Sequence, residues 1–471
     1  MNILVFSSAM RERDFAPFQD EAKIKPNPSN QNFYYKLIKA LAINNNVSVV
    51  SHRPLVRGMF KKNILESDTV SDGKIKFYYT NNRCDKAFKL LSEKGTIEKT
   101  ARQAIDDFMS HDFIIVTDTL RLNLLKAAKK IAKQYDAKIV GMLTDNPFNL
   151  SSGSPFVKNS LVKQASSLDG YLSLTNGLVE IYNSEAPHYV FEGLVAEESE
   201  GKKDPIFNYF YFGGSLYERY GVKTLVDAFH KSNVKYKLVL AGSGPLVEYI
   251  EQMAEEDYRI LYLSQLSKEK NIAYMRNSIA NINPRPLDIK MDNESVPSKL
   301  LEYLSIGTPV ISTKYPKLYS TFKDDVTWID GNSLEDMRYA LENYEVPKQE
   351  EYLKKAATAR RKVFEFYGLN VQAESIDHFL AEINSSNNDW VSFSVVKCAS
   401  KYFLLLRPKR SFSFDSQSSS ITLAISFGSS DAKNEPLAFE SISRASPCAT
   451  TRSGRPYFIY WIALLGIVLP T

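Results

Sequence analysis

IANINPRPLDIKMDNESVPSKLLEYLSIGTPVIST, residues 279–313, decides the reading of this chain. It opens on a short apolar run that ends at Asn283-Pro284 and then crosses a polar segment. From Leu300 to Ile306 the apolar residues recur three and four apart. Gly307-Thr308-Pro309 stops that pattern, and a β-branched run follows at Val310. Strand, helix and strand in this order form the repeating unit of a parallel sheet. Pro297 suits a first helical turn, and Ser295 or a neighbour is expected to cap it. The free N–H groups and positive dipole end of such a helix suit a phosphate. Lys299 in the first turn adds a cation. Glu302, one turn on, has the reach to accept hydrogen bonds from a ribose diol. Glu294, eight positions before Glu302, is expected in the loop above. On residue types alone the alternative stays open that Glu302 is a solvated helix residue paired with a cation.

The same rhythm runs outward in both directions. Upstream, strands are expected at 2–8, 47–51, 74–80, 112–118, 138–145 and 170–175, with helices at 32–44 and 121–135. Residues 194–206, LVAEESEGKKDPI, interrupt the pattern with charge, Gly and Pro. A second series has strands at 208–214, 236–242, 259–265, 279–284, 308–313 and 326–330. Its helices fall near 221–232, 244–255, 267–277, 296–306 and 332–344, and 349–384 is helical in pattern. The expectation is an α/β chain of two doubly wound, Rossmann-like domains facing across a cleft, with an irregular C-terminal tail. The first domain spans 1–193, 194–206 is a linker, and 207–385 is the second domain. Ligands of open α/β sheets bind outside the carboxyl ends of the strands, so the cleft is the expected site. Residues 386–471 are rich in Ser and lack the βα rhythm. They read as a disordered tail or as sequence foreign to the fold, such as a shifted reading frame.

Bulk composition removes several classes. Among 471 residues there are 59 Lys and Arg against 54 Asp and Glu, a net charge of +5. That is no nucleic-acid signature, but it suits an anionic ligand or brief contact with an anionic membrane. Cys84, Cys398 and Cys448 are far apart and the histidines are scattered, so neither a disulfide scaffold nor a zinc site is expected. No Asp-x-Asp follows a strand, since Asp106-Asp107 lies in a helical pattern; no metal and no other cofactor is expected. The start, MNILVFSS, runs straight into a strand with no leader pattern, which reads as cytoplasmic. The apolar close at 457–471 is shorter than the about 20 residues of a spanning helix. It reads as no span, with a peripheral anchor as the minority view. Lys126, Lys129, Lys130 and Lys133 permit membrane contact at the inner face of the cell membrane, although a solvated helix face is the plainer reading.

NESVPSKLLEYLSIGTPVIST resembles the donor-site signature of glycosyltransferases with the B-type two-domain (GT-B) fold. It is closest to the large retaining family of glycosyl transferases group 1, which builds bacterial capsular and exopolysaccharides. That signature places Glu, seven residues, Glu, then a small residue, Gly, Thr or Lys, Pro and Val; Glu294 and Glu302 fit its spacing. The resemblance implies that Glu294 faces the donor sugar, that Glu302 holds the ribose, and that transfer proceeds with retention. FGGSLYERYGVKTLVDAF (212–229) resembles the Gly-Gly turn of the family, where Gly213 and Gly214 let backbone approach a diphosphate. LVLAGSGPLVEYI (238–250) resembles its next strand and Gly-x-Gly-Pro turn. There is one departure. Family members place Arg after the glycine turn and Lys before the next glycine, where this chain has Ser215 and Tyr220. Arg219 and Arg285 are the candidate substitutes.

The first domain is expected to hold the acceptor, a saccharide or lipid-linked sugar, opposite the nucleotide-sugar. Asp145, closing a strand in LTDNP, is the candidate to orient an acceptor hydroxyl or act as base, with a turn role as the alternative. Residues 9–31 read as a loop that covers the acceptor, and His52 as a surface histidine within reach of the cleft. Three competitors remain: a sugar-nucleotide epimerase, a non-catalytic homologue that stabilises a partner transferase, and a dinucleotide oxidoreductase. The last lacks a Gly-x-Gly-x-x-Gly after the first strand.

Overall fold

The computed structural model describes residues 1–26, 28–84, 92–150, 153–196 and 208–385, and the backbone of 391–398 and 401–408. In the first domain the strands are β1 (Asn2–Ser7), β2 (Asn46–Ser51), β3 (Ile64–Leu65), β4 (Asp68–Asp72), β5 (Ile75–Tyr79), β6 (Asn82–Arg83), β7 (Phe113–Asp118), β8 (Ile139–Leu143), β9 (Gly170–Ser173) and β10 (His188–Val190). Its helices are α1 (Glu12–Glu21), α2 (Pro28–Leu41), α3 (Glu93–Asp106), α4 (Leu122–Tyr135), α5 (Pro155–Ala165) and α6 (Asn176–Tyr182). The sheet runs β10-β9-β8-β7-β1-β2-β5-β4, parallel except for β4. The strand order reverses between β1 and β7, which is the switch point of a doubly wound sheet.

The second domain has β11 (Tyr209–Ser215), β12 (Lys237–Ser243), β13 (Ile260–Tyr262), β14 (Ala280–Asn283), β15 (Val310–Thr313) and β16 (Thr327–Ile329). Its helices are α7 (Val222–His230), α8 (Val247–Glu256), α9 (Lys268–Asn277), α10 (Ile289–Glu294), α11 (Ser298–Ile306), α12 (Pro316–Phe322), α13 (Leu334–Glu342), α14 (Gln349–Tyr367) and α15 (Leu369–Ser385). The all-parallel order β13-β12-β11-β14-β15-β16 again reverses beside the first strand. Period-2 alternation loads both faces of β11. Phe210 and Phe212 join one apolar layer with Val226 and Leu240, whereas Tyr209 and Tyr211 join the other with Leu300 and Tyr303. Each such side chain, once buried, stabilises the fold by about 1.5–3 kcal/mol. Strands covered on both faces read as unbroken apolar runs, which is why they were legible.

Three expectations change. Residues 9–31 are not a loop, since they form α1 and the start of α2. Glu12 and Asp14 place negative charge in the first turn of α1, Arg11 pairs with Asp14 at 2.7 Å, and Phe18 packs on Phe60. The helical run 349–384 is two helices. Gly368 between them is extended, and a Cβ there would meet the Phe364 carbonyl oxygen at 2.4 Å. Ser295 does not cap α11. It ends α10, and α11 starts behind Pro297 with no side-chain cap.

The break at Gly368 lets α15 return to the first domain. Tyr189 donates to the Gln372 amide oxygen at 3.0 Å, and Asn44 to Asp377 at 2.8 Å. Val195, on the outgoing crossing, donates its N–H to Tyr367 and accepts from Leu369, so both crossings of the chain lie side by side. Of the linker at 194–206, residues 197–206 lie outside the described residues.

A separate unit, Trp390–Thr471, is represented by β17 (Val391–Cys398) paired antiparallel with β18 (Lys401–Pro408). The Ser-rich stretch, Cys448 and the apolar close at 457–471 lie outside the described residues.

Candidate active site

The carboxyl ends of β11 and β14 assemble the second-domain side. Gly213 and Gly214 end β11 beneath the start of α11. The Gly213 N–H donates to the Tyr303 hydroxyl at 3.0 Å, and a Cβ on Gly214 would press on the Lys299 stem at 3.2 Å. Gly221 and Gly242 need glycine for a conformational reason. They have φ of +75° and +141°, and a Cβ would meet the Pro284 oxygen at 2.0 Å and the Gly214 oxygen at 1.8 Å. The glycine turns, the α11 start and the Asn-Pro-Arg segment are thereby drawn together.

Lys299 donates to Glu302 at 2.7 Å, with both side chains about one-third exposed. Burial alone would raise the Glu302 pKa. The Lys299 charge, with Lys36 and Lys268 behind it, outweighs burial and holds the carboxyl below its ordinary range. The open alternative, a glutamate paired with a cation, therefore describes this state, and the cation is the other donor-site candidate.

Glu294 ends α10 instead of lying in a loop, because Asp288 caps that short helix by accepting from the Met291 N–H. Its carboxylate accepts from Asn146 at 3.0 Å and from Asn149 at 2.7 Å, both on the first domain. Arg285 is largely buried. It donates to Asp292 at 3.0 Å and to the Met291 carbonyl, and it stacks on Tyr315, so it braces α10. Ser295 follows Glu294 and offers its carbonyl to the Tyr315 hydroxyl. Arg219 is exposed, lies against the rings of Tyr217 and Tyr220, and donates to the Tyr220 hydroxyl at 3.1 Å.

The first-domain side centres on Asp145, just past β8. Burial and the nearby Asp118 charge raise its pKa, while Arg219 from the second domain opposes them. Asp118 ends β7 and is 1% exposed. One of its oxygens accepts from the Leu120 N–H at 2.8 Å, and the other is 3.5 Å from Arg121. Burial pushes its pKa up. The buried hydroxyls of Tyr34, Thr144 and Tyr182 find no well-formed hydrogen bond among the described residues. Ser7 and Ser8 are buried at the end of β1. His52 is not a surface residue. It is 5% exposed, with Nδ1 2.7 Å from Thr80 and Nε2 2.8 Å from Glu93, because it follows β2 in the middle of the sheet.

Sequence reasoning passed over Asp118, Asn146, Asn149, Lys36 and Lys268. Asp118 carried the signal used for Asp145, an acid at the carboxyl end of a strand. The asparagines and the two lysines carry no local pattern that marks them for the site. Among the described residues no group of three or more His, Cys, Asp or Glu could hold a metal ion. No helix among them is long and apolar enough to cross a membrane.

Residues 196–360 match the family of glycosyl transferases group 1. Comparison with curated protein sequences returns no match. Among solved structures, the chain is similar to a sucrose-phosphate synthase from Thermosynechococcus elongatus, at TM-score 0.57 and 12% identity over 81% of this chain and 99% of that one. It is similar to a trehalose-6-phosphate enzyme from E. coli bound with UDP-2-fluoro glucose, at TM-score 0.54 and 12% identity over 82% and 99%. A third is Anabaena HepE in complex with UDP, at TM-score 0.52 and 11% identity over 81% and 100%. At such identities the structural likeness establishes the fold, and the group 1 match adds the chemistry. The chain is a glycosyltransferase of the GT-B fold whose second domain carries the glycosyl transferases group 1 segment.

Proposed function

We propose that this enzyme transfers a sugar from a nucleoside-diphosphate donor to a hydroxyl of a saccharide or lipid-linked acceptor, with retention, in cell-surface polysaccharide synthesis at the cytoplasmic face of the membrane. The observation that carries the reading is the convergence of Gly214, Lys299 and Glu302 at the start of α11. Glu302 takes the ribose, and Lys299 takes the diphosphate with the α11 N–H groups and the glycine turns. Ser295, Arg285 and Arg219 complete the donor side, and the Arg219 charge is felt by Asp145 of the first domain. Glu294 meets the donor sugar, and Asp145 orients the acceptor hydroxyl. As the bond to the leaving phosphate breaks, the diphosphate oxygen accepts the proton of that hydroxyl, and these fixed dipoles and cations hold the leaving charge without a metal. Two of the similar structures are complexes with UDP-2-fluoro glucose and with UDP, which supports a nucleotide-sugar donor.

Thermal unfolding of the full chain with UDP, GDP, ADP or CMP tests this reading. A ligand at 100 times its Kd adds about 2.7 kcal/mol of stability. One ligand should shift the wild type and leave Glu302→Ala unmoved. Absence of any shift in a folded protein removes the transferase reading. It favours instead a non-catalytic homologue that stabilises a partner, to which Ser215 and Tyr220 already point.

A further inference from the structure

The loop behind β8 carries more than Asp145. Asn146 and Asn149 both donate to Glu294, at 3.0 and 2.7 Å, and both reach the same atom, Oε2. Oε1 accepts no hydrogen bond among the described residues, and the Glu294 side chain is partly exposed, so this second oxygen is open to a ligand. The Asn146 amide is oriented from behind. Its Oδ1 accepts from the Phe148 N–H at 2.9 Å, which directs its NH2 group to Glu294. The Asn149 N–H donates to the Asn146 carbonyl at 3.0 Å, and Lys158 donates to the Phe148 and Leu150 carbonyls at 3.3 and 2.6 Å. One pinned turn therefore presents both amides.

The opposing element is held as firmly. Asp288 caps α10, and Arg285 on Asp292 braces it. The start of α6 comes against the end of α10 by backbone, since a Cβ on Gly177 would meet the Asn293 carbonyl oxygen at 2.4 Å. Charge sets this carboxylate apart from Glu302. Lys299 donates to Glu302 at 2.7 Å, whereas Glu294 has no cationic partner among the described residues. Neutral amides fix a carboxylate without neutralising it. Its charge stays available for a ligand hydroxyl, and for positive character on a sugar ring as the bond to phosphate breaks.

We propose that Asn146 and Asn149 are positioning residues for the donor sugar: they hold Glu294 at Oε2 so that Oε1 meets a sugar hydroxyl, and the sugar half of the donor site is complete only when both domains contribute. The inference rests on the reading of Glu294 as the residue that meets the donor sugar. The diphosphate needs only second-domain groups, the glycine turns, Lys299 and Glu302, and is indifferent to the two asparagines. Because the same turn begins with Asp145, one loop also sets the sugar-facing carboxylate relative to the acceptor-facing one.

Isothermal titration of the full chain compares UDP with UDP-glucose, GDP with GDP-mannose and ADP with ADP-glucose, and the tightest pair is carried to the variants. The readout is the ratio of the Kd of the conjugate to that of its diphosphate. Asn149 is exposed and its side chain bonds only Glu294 among the described residues, so its variants leave the fold intact. Asn149→Ala should weaken the conjugate about tenfold and the diphosphate by less than about twofold. Asn149→Asp sets a second carboxylate against Glu294 and should weaken the conjugate further, whereas Asn149→Gln keeps an amide donor and should restore most of the loss. Asn146→Asp, which keeps the acceptor for the Phe148 N–H, should also raise the ratio. A ratio equal in wild type and all variants overturns the proposal, as does parallel weakening of both ligands, the mark of a merely structural contact. A wild type that binds no diphosphate is a distinct result, since it removes the transferase reading and this proposal with it.

Discussion

Lys299→Met separates two roles of one lysine. With both side chains about one-third exposed, the Lys299–Glu302 pair is a solvent-screened contact worth about 0.3–1 kcal/mol. Its loss lowers Tm by no more than about 2–4 °C. The same lysine donating to a diphosphate makes a charge-assisted hydrogen bond worth about 1.5–3 kcal/mol, so diphosphate affinity falls about ten- to hundredfold. A nucleoside without phosphate behaves the other way. In the wild type it must compete with Lys299 for Glu302, and in the variant Glu302 is released. Nucleoside affinity rises up to about fivefold, the energy of the broken pair. Isothermal titration of the full chain with the stabilising diphosphate and with its nucleoside measures both. Parallel weakening of the two ligands, or a variant that no longer unfolds cooperatively, refutes the exchange.

Three further outcomes follow from the site. Asp145 accepts the orienting hydrogen bond of the acceptor hydroxyl only when ionised, and burial raises its pKa; turnover should fall as pH drops through that raised value, and a pH–rate profile of Asp145→Asn should lack this limb. Asp118 also has a raised pKa from burial, so the folded state favours its protonated form and stability is lost as pH rises from the unfolded value near 3.9 through the folded one. Asp118→Asn keeps the acceptor for the Leu120 N–H and should melt above wild type at pH 7 by a margin that shrinks toward pH 4. Gly221→Ala drives a Cβ into the Pro284 carbonyl at positive φ and should destabilise by at least about 2 kcal/mol in urea unfolding, with loss of nucleotide binding. Unchanged unfolding would mean that the turn can move away from Pro284.

Much was legible in one dimension because it depends on neighbours close in the chain. Alternating buried faces, helix stops and the Glu294–Glu302 spacing are local properties, and β1, β2, β5, β7, β8, β9 and β11 to β16 fall where the apolar runs predict them, whereas β3, β4, β6 and β10 are not predicted. Local signals misled where packing at a distance outweighs polarity. The segment at 9–31 is polar along its length, and Phe18 against Phe60 makes it a helix. His52 looked like a surface residue because its burial comes from strands on either side.

What the chain alone determined is therefore the two-domain α/β fold and the donor motif, since both rest on periodicity and short spacing. Tertiary structure alone decided how the charges are spent. Glu294 meets Asn146 across 148 positions of sequence. Arg285 is taken by Asp292, and Asp118 is buried beneath the cleft. A carboxylate's chemistry depends on the charges and solvent within a few ångströms of it, and in a doubly wound protein those come from strand ends and helices far apart in the chain.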